Sequence, residues 1–328
     1  MIVVTGGAGF IGSNLIAELE VRGADEIVVC DRLGRDEKWR NIAKRELAAI
    51  VPPERLFDFL DANASRIDCL FHMGAISSTT ETDGDLVVET NVALTLALWR
   101  WCVEHDKRLI YASSAATYGD GGAGFDDDGS PEALARLRPL NLYGWSKHLV
   151  DRRIARLVAD GAARPRQWVG LKFFNVYGPN EYHKGAMMSI VAKNNARVAL
   201  GEPVALFRSH HPDYEDGGQM RDFVYVADCV AVMLWLYDRP EVNGLFNLGT
   251  GKAARFSDLM GALFRAHGRA PELVYVDTPE EIRARYQYFT EARMDRLRAA
   301  GYDRPFADVE TGVADYVARY LAQPDPYR

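Results

Sequence analysis

The sequence has little cysteine and no surplus of positive charge, and each lack removes a class of protein. Its four cysteines, Cys30, Cys69, Cys102 and Cys229, are scattered through 328 residues without the spacing of metal ligands. We therefore expect reduced packing thiols, with neither a disulfide framework nor a metal site. Lysine and arginine number 39 against 46 aspartate and glutamate residues, a net charge of −7. This balance argues against nucleic acid or an anionic membrane as a partner.

Long apolar segments are also scarce. No uninterrupted apolar run approaches the ~18 residues that a membrane helix requires. The first predicted strand begins within two residues of Met1, which leaves no room for a signal peptide. From these features we expect a cytoplasmic protein of about two domains.

Glycine is concentrated near the start of the chain, in the segment Thr5–Gly12. A β-branched run precedes this segment and a helix-period apolar stretch follows it, which predicts a turn between a strand and a helix. In such a turn Gly6 permits the tight bend, Gly9 lets the backbone approach a pyrophosphate, and Gly12 lets the helix pack closely on the strand. The pattern predicts a dinucleotide site, and a purely structural turn is the alternative.

An acidic residue after the second predicted strand bears on the choice of cofactor. Asp31 lies 19 residues beyond Gly12, where an acid accepts hydrogen bonds from the adenosine ribose. Asp31 alone favours NAD, because a carboxylate repels a 2′-phosphate. The loop that follows contains Arg32, Arg35, Lys38 and Arg40. Such cations bind a 2′-phosphate through charge-assisted hydrogen bonds unless the loop is merely solvated surface, so the residues alone favour NADP only slightly.

Strand and helix patterns alternate through the first half of the chain. Buried strands are predicted at 69–72 and 108–112, with a helix between them. This alternation predicts an α/β Rossmann fold, a doubly wound parallel sheet with its ligand crevice at the carboxyl ends of the strands. We expect residues 1–174 to form the dinucleotide-binding domain, with segments of about 222–250 returning to it. Residues 175–328 are then mainly a smaller, mixed substrate-binding domain.

Tyr143 and Lys147 are separated by four residues in a predicted helix, so they share one face. Oxidising an alcohol by hydride transfer requires a base for the hydroxyl proton, and Ser114 at a strand end is predicted to hydrogen-bond the same oxygen. A free phenol has a pKa of about 10, so a base near neutral pH needs a shift of roughly three units. The Lys147 ammonium and a positive nicotinamide ring both favour the phenolate. A chance surface pair is the alternative interpretation.

These motifs resemble the extended short-chain dehydrogenase/reductase family of nucleotide-sugar enzymes. Within that family the chain is most similar to the branch that inverts C6″ of ADP-heptose, from Met1 to about Tyr320. The matching segments are Thr5–Gly12, Ser77–Glu81, Ser113–Gly119, Tyr143–Lys147, Phe174–Pro179, His183–Gly185, Arg221–Val226, Arg285–Gln287 and Leu297–Asp303.

The resemblance implies an isomerase that oxidises C6″ to a transient ketone with tightly bound NADP and returns the hydride to the opposite face. The two acid/base groups of the branch match Tyr143 and Lys184, one for each face of the carbon. A lysine with its usual pKa of about 10.4 is a poor base, so Lys184 would need burial or cationic neighbours. A phosphate-binding lysine is the alternative. The resemblance also implies a homo-oligomer, specifically a pentamer, and a role in lipopolysaccharide core biosynthesis.

The site residues fall into three predicted groups. The catalytic residues are Tyr143, Lys184, Lys147 and Ser114. The cofactor-binding residues are Gly6, Gly9, Phe10, Ile11, Gly12, Asp31, Arg32, Lys38, Met73, Gly74, Ala75, Ile76, Ser77, Asn91, Tyr143, Lys147 and Val176. The substrate-binding residues are Ser78, Thr79, Ser114, Asn175, Lys184, Ala186, Lys193, Phe207, Arg208, Ser209, His210, Arg221 and Tyr286.

The sequence departs from the family pattern at a few places. Pro53 stands where a cofactor-binding lysine is often found, and Ala186 and Lys193 replace a small polar residue and a histidine. The segment 210–219 is longer than the usual linker to Arg221 and is rich in turn residues, which predicts a mobile lid.

Three other functions compete with this interpretation. A UDP-hexose 4-epimerase would share every catalytic residue except the Lys184 segment. A 4,6-dehydratase would carry an Asp-Glu pair after the strand-end serine and threonine, where this chain has the segment 115–118 without an acid. A non-catalytic NADP-sensing protein would usually have lost Tyr143 or Lys147.

Overall fold

The computed structural model describes residues 1–283 and 287–328. Its strands are β1 (Ile2–Thr5), β2 (Ile27–Cys30), β3 (Ala49–Val51), β4 (Cys69–His72), β5 (Arg108–Ser114), β6 (Gln167–Phe173), β7 (Asn175–Tyr177), β8 (Val204–Phe207), β9 (Met220–Arg221), β10 (Phe223–Tyr225), β11 (Gly244–Leu248), β12 (Ala254–Arg255) and β13 (Leu273–Val276). Its α-helices are α1 (Phe10–Val21), α2 (Leu56–Ala62), α3 (Gly84–Val87), α4 (Leu94–Glu104), α5 (Pro131–Leu134), α6 (Leu142–Ala159), α7 (Ile190–Leu200), α8 (Val226–Tyr237), α9 (Phe256–Ala266), α10 (Glu280–Arg283), α11 (Asp295–Ala299) and α12 (Val309–Tyr316). Short 3-10 turns occupy Glu37–Ile42, Pro53–Arg55, Ala115–Tyr118 and Tyr182–Met187.

Among the described residues, seven parallel strands form the main sheet, in the order β11-β6-β5-β4-β1-β2-β3. Every residue of β1, β2 and β4 is buried, as expected for parallel strands that helices cover on both faces. The chain runs outward from β1 to β3 and then returns to β4 on the other side of β1. Ligands bind such sheets at the carboxyl ends of the strands beside this reversal. The sheet confirms the predicted Rossmann fold.

A second hydrophobic core joins α7, α9 and α12. Its fully buried residues include Val198, Leu263, Val313 and Tyr316. Two small parallel sheets contribute to it, β8 with β13 and β7 with β10. Phe10 at the start of α1 also belongs to this core. The glycine-rich turn therefore lies where the two cores meet.

The chain crosses between the two cores more than once. Strand β11 lies in the main sheet although it follows elements of the second core in sequence, and α8 packs against α1. The division into residues 1–174 and 175–328 stays a prediction.

One helix of the described residues is long and apolar enough to cross a membrane by length and composition alone. It spans 21 residues, Gly84–Glu104, because a wider helical turn, Val88–Ala93, joins α3 to α4. Glu89 and Arg100 interrupt its apolar sequence, so this helix does not contain the long uninterrupted apolar run that the sequence analysis looked for. Buried core helices pass the same test, and 44% of its most apolar window is buried. A single helix of this kind is weak evidence for a membrane span.

Candidate active site

A cavity of about 870 Å³ opens at the carboxyl ends of β1, β4, β5 and β6 and extends to the second core. Its volume is in the range of pockets that hold cofactors and small substrates. The predicted cofactor residues that line it are Gly6, Gly9, Phe10, Ile11, Gly12, Asp31, Lys38, Met73, Gly74, Ala75, Ser77, Tyr143, Lys147 and Val176. All four predicted catalytic residues also line it.

The glycine-rich turn is packed so tightly that side chains are excluded. Gly6 has a φ of +66°, and a Cβ there would lie 2.5 Å from the Gly74 amide nitrogen. A Cβ on Gly12 would lie 2.3 Å from the Gly6 carbonyl oxygen. Because α1 begins directly after Gly9, the free N–H groups of its first turn face the cavity as an anion-binding site. This cradle fits the pyrophosphate of a dinucleotide.

Asp31 is held in place at the end of β2 by three donors. Its carboxylate accepts hydrogen bonds from the Ala8 N–H (2.9 Å) and the Arg32 N–H (2.7 Å), and it forms an ion pair with Lys38 (2.6 Å). The Arg32 guanidinium instead pairs with Glu54 on the surface, and Arg32 is not part of the cavity lining. Lys38 is therefore the cation that reaches the ribose end of the cavity.

The loop after β4 is fixed by an asparagine from the helix behind it. The buried Asn91 side chain accepts a hydrogen bond from the Ile76 N–H (2.8 Å), donates to the Ile76 carbonyl (2.9 Å) and donates to the Ser146 hydroxyl (3.0 Å). Neither Asn91 nor Ile76 lines the cavity. Both were predicted to bind the cofactor, and the structure places them one layer behind it.

Tyr143, Ser114 and Lys147 meet where α6 crosses the end of β5. Asn141 caps α6 by accepting from the Gly144 N–H (2.8 Å). The Ser114 hydroxyl hydrogen-bonds the Tyr143 phenol, and the Lys147 ammonium donates to the Ala112 carbonyl (2.8 Å). Burial lowers the pKa of Lys147 to about 8.

The pKa of Tyr143 departs from the expectation. We expected Lys147 to lower it, but burial raises it above its ordinary value and the hydrogen bond from Ser114 offsets only part of that. Burial disfavours the phenolate, and the Lys147 ammonium is turned to a backbone carbonyl instead. That Lys147 and a bound nicotinamide ring together favour the phenolate stays a prediction.

A buried ion pair, which we call the Asp151–Lys172 pair, lies beneath these residues. The Lys172 Nζ is 2.7 Å from Asp151 Oδ2 and also donates to the Thr117 hydroxyl (2.8 Å). The Ser113 hydroxyl donates to the same carboxylate (2.7 Å). Both charged side chains are fully buried. Asp151 follows Lys147 by four residues, as Lys147 follows Tyr143, so all three lie on one face of α6. The sequence analysis did not single out Asp151.

Lys184 reaches the cavity from the turn Tyr182–Met187. Its Nζ lies 5.0 Å from the centroid of the Phe10 ring, within the range of a cation–π contact. Burial is the largest cause that lowers the pKa of Lys184, Lys193 lowers it further, and the buried Glu181 opposes them. Glu181 anchors the turn by accepting from the Ser189 hydroxyl (2.7 Å). The direction of this pKa shift is the one that a lysine base requires.

The predicted substrate residues divide into two groups. Thr79, Ser114, Asn175, Lys184 and Arg221 line the cavity, as do His183 and Gln287 of the matching segments. Asn141, Met187 and Thr290, which the sequence analysis did not single out, also line it. Outside the lining lie Ser78, Ala186, Lys193, Phe207, Arg208, Ser209 and His210. Tyr286 lies outside the described residues.

The longer segment before Arg221 is tied down at several points. The Ser209 N–H donates to Asp216 (2.8 Å), and the His210 N–H donates to the Tyr288 hydroxyl (2.9 Å). The rings of His211, Tyr214 and Tyr288 lie 5.2–5.3 Å apart. These contacts are internal to the segment and its neighbour, so its action as a lid stays a prediction.

Residues 2–249 match the model of the NAD dependent epimerase/dehydratase family. The chain belongs to this family. Among its curated relatives, the ADP-L-glycero-D-manno-heptose-6-epimerase of Nitratidesulfovibrio vulgaris strain DP4 is 50% identical and that of Fusobacterium nucleatum 44% identical, each over 100% of both chains.

Solved structures of epimerases share the fold of this family member. The Helicobacter pylori ADP-L-glycero-D-manno-heptose-6-epimerase is 26% identical, with a TM-score of 0.79 over 97% of this chain and 95% of the other. The Thermus thermophilus UDP-glucose 4-epimerase, solved in complex with NAD, is 27% identical, with a TM-score of 0.73 over 97% of each chain. The nicotinamide cofactor of the family fits the glycine cradle and Asp31.

Proposed function

We propose that this protein converts ADP-D-glycero-D-manno-heptose to ADP-L-glycero-D-manno-heptose by inverting C6″. The main support is that two groups able to exchange protons, Tyr143 and Lys184, reach one cavity from different parts of the fold. Relatives that carry this activity in their names, at 50% and 44% identity over the whole chain, support the choice of substrate.

The reaction needs one acid/base group on each face of the carbon. When bound, the nicotinamide supplies a hydride acceptor and then a hydride donor. Tyr143 takes the proton of the C6″ hydroxyl, and the Ser114 hydroxyl holds the same oxygen as it becomes a ketone. Lys184 serves the other face, where its lowered pKa makes the neutral amine accessible. Lys147 keeps its charge near Tyr143, and Arg221 is suited to clamp the diphosphate.

Water elimination is a poor alternative for this cavity. A dehydratase needs an acid and a base next to the strand-end serine. Ala115 and Ala116 line the cavity there and carry no ionisable group. A nucleotide-sugar epimerase is therefore favoured over a 4,6-dehydratase.

We further propose that NADP is the preferred cofactor. Lys38 lines the cavity and pairs with Asp31, so it both neutralises the carboxylate and offers a donor to a 2′-phosphate. Arg32 is engaged by Glu54, and Pro53 offers no donor. The preference thus depends on Lys38, and Lys38→Met should weaken NADP binding more than NAD binding. The homo-pentamer and the cytoplasmic location remain predictions.

Proton NMR of ADP-D-glycero-D-manno-heptose incubated with the protein, without added reductant, tests the proposed reaction. A parallel sample contains UDP-galactose. Inversion at C6″ in the first sample alone supports the proposal and shows that no external reductant is needed. Conversion of UDP-galactose alone would retain the role of Tyr143 and overturn both the substrate and the role of Lys184.

A further inference from the structure

His183 lies in the cavity but has no role in the proposed reaction. It precedes Lys184 in the turn Tyr182–Met187 and lines the cavity between two groups of charged residues. Lys38 and Asp31 at the ribose end and Lys184 at the catalytic end are all close enough to act on its pKa. His183, Asp31 and Tyr143 therefore line one cavity.

A neighbouring asparagine fixes which ring nitrogen carries the proton. The buried Asn41 amide nitrogen donates to the Ala8 carbonyl (2.8 Å), and a carbonyl can only accept. The same nitrogen is 3.1 Å from His183 Nδ1, so Nδ1 must be the acceptor of the second amide hydrogen. In the neutral ring the proton is then on Nε2. Burial, followed by Lys38 and Lys184, lowers the pKa of His183, so the neutral ring dominates at pH 7.

This arrangement leaves one polar atom unsatisfied. Asn41 Oδ1 is buried and has no hydrogen-bond partner among the described residues, which is unfavourable for a buried polar atom. Rotating the amide would bring Oδ1 against the Ala8 carbonyl oxygen. The orientation that holds the His183 ring is therefore the one that leaves Asn41 Oδ1 without a protein partner.

The turn that carries His183 is also tied to the cofactor half of the molecule. Asn180, with a φ of +71°, donates to the Ser13 hydroxyl (3.0 Å) and the Asn41 carbonyl (3.3 Å). Asn14 of α1 donates to the Pro179 carbonyl (2.8 Å). His183 is therefore fixed relative to the glycine-rich turn rather than carried on a free loop.

We propose that His183 is a phosphate-binding residue of the cofactor site, donating its Nε2–H to a phosphate oxygen of the bound dinucleotide. Within the described residues Nε2 has no protein partner, so its N–H is available to a ligand in the cavity that His183 lines. The phosphate belongs either to the diphosphate bridge or to the 2′-phosphate of NADP. The proposal rests on the nicotinamide cofactor and not on the heptose substrate.

Two substitutions distinguish the contributions of the two ring nitrogens of His183. Asparagine in His183→Asn can offer an acceptor near the Nδ1 position, which retains the contact with Asn41, but it offers no donor at the Nε2 position. Glutamine in His183→Gln can offer a donor near Nε2. Cofactor-stripped wild type and both variants are titrated with NADP and with NAD by calorimetry, and their thermal unfolding without cofactor checks the fold.

We expect His183→Asn to weaken binding about tenfold or more, since a hydrogen bond to a charged group is lost, and His183→Gln to stay within about threefold of wild type. Loss for NADP alone assigns the 2′-phosphate, and equal loss for both cofactors assigns the diphosphate. Wild-type affinity in His183→Asn, or equal losses in both variants, would overturn the proposal. If the wild-type protein binds cofactor but does not invert the heptose, the proposed function is refuted and the role of His183 is unaffected.

Discussion

Removing one member of the Asp151–Lys172 pair should destabilise the protein severely. In Asp151→Asn the shape is kept, but the fully buried Lys172 ammonium loses its only carboxylate within 4 Å among the described residues and retains the Thr117 hydroxyl. In Lys172→Met the Asp151 carboxylate retains hydrogen bonds from the Ser113 and Tyr111 hydroxyls. Either change leaves a buried charge without its ion-pair partner.

The expected magnitude follows from the burial of both groups. Breaking a buried ion pair by removing one partner costs about 3–5 kcal/mol, whereas replacing both charges can be close to neutral. We therefore expect each single variant to lose about 3–5 kcal/mol in free energy of unfolding. Asp151→Asn/Lys172→Met should lose less than the sum of the singles, because neither charge is then left unpaired.

A double-mutant cycle by urea unfolding measures this coupling. Asp160→Asn, at the exposed end of the same helix, is a matched control and should change stability by less than about 0.5 kcal/mol. If the two single losses add within about 0.5 kcal/mol in the double variant, the charges do not interact as described and the reasoning fails.

The remaining predictions concern the cradle and the catalytic helix. Tyr143→Phe should nearly abolish epimerisation while leaving the cofactor bound, as the absorbance of the purified protein would show; normal turnover would rule out this base. Gly12→Ala should abolish cofactor binding, because its Cβ would lie 2.3 Å from the Gly6 carbonyl oxygen. In the control Gly84→Ala the added Cβ meets no atom within 4 Å, so this variant should bind cofactor normally. Equal cofactor content in the two purified variants would contradict the proposed pyrophosphate cradle. Burial lowers the pKa of Lys147 to about 8 in the folded chain, against 10.5 ordinarily. Between pH 8 and pH 10.5 the unfolded chain therefore binds more protons at this residue, so its contribution to the free energy of unfolding rises with pH. In Lys147→Met, urea unfolding should show a smaller rise of the free energy of unfolding over this pH range. The same pH slope in the variant and the wild type would refute the prediction.

Short motifs predicted much of the cofactor half of the site. Gly6, Gly12 and Asp31 are recognisable because the strand–turn–helix that carries them is local in sequence. Tyr143 and Lys147 follow from helix periodicity in the same way. Each of these residues lines the cavity.

Contacts between distant segments could not be predicted in this way. Asn41 and His183 are 142 residues apart, and no periodic pattern connects them. Asn91 was assigned to the cofactor but supports Ile76 from behind, because a sequence match does not distinguish a contact from the residue that supports it. The raised pKa of Tyr143 depends on burial, which only the packed structure supplies.

The joining of Asn41 to His183 has a consequence for how the protein folds. A contact over 142 residues requires the closure of a long loop, which costs chain entropy before the contact can stabilise the fold. The complete dinucleotide site therefore exists only in the nearly native chain. A ligand that binds only that state stabilises it by mass action, by about 2.7 kcal/mol at one hundred times its Kd. The cofactor is in this sense also a structural component, because the stability of the native chain rises with the free cofactor concentration.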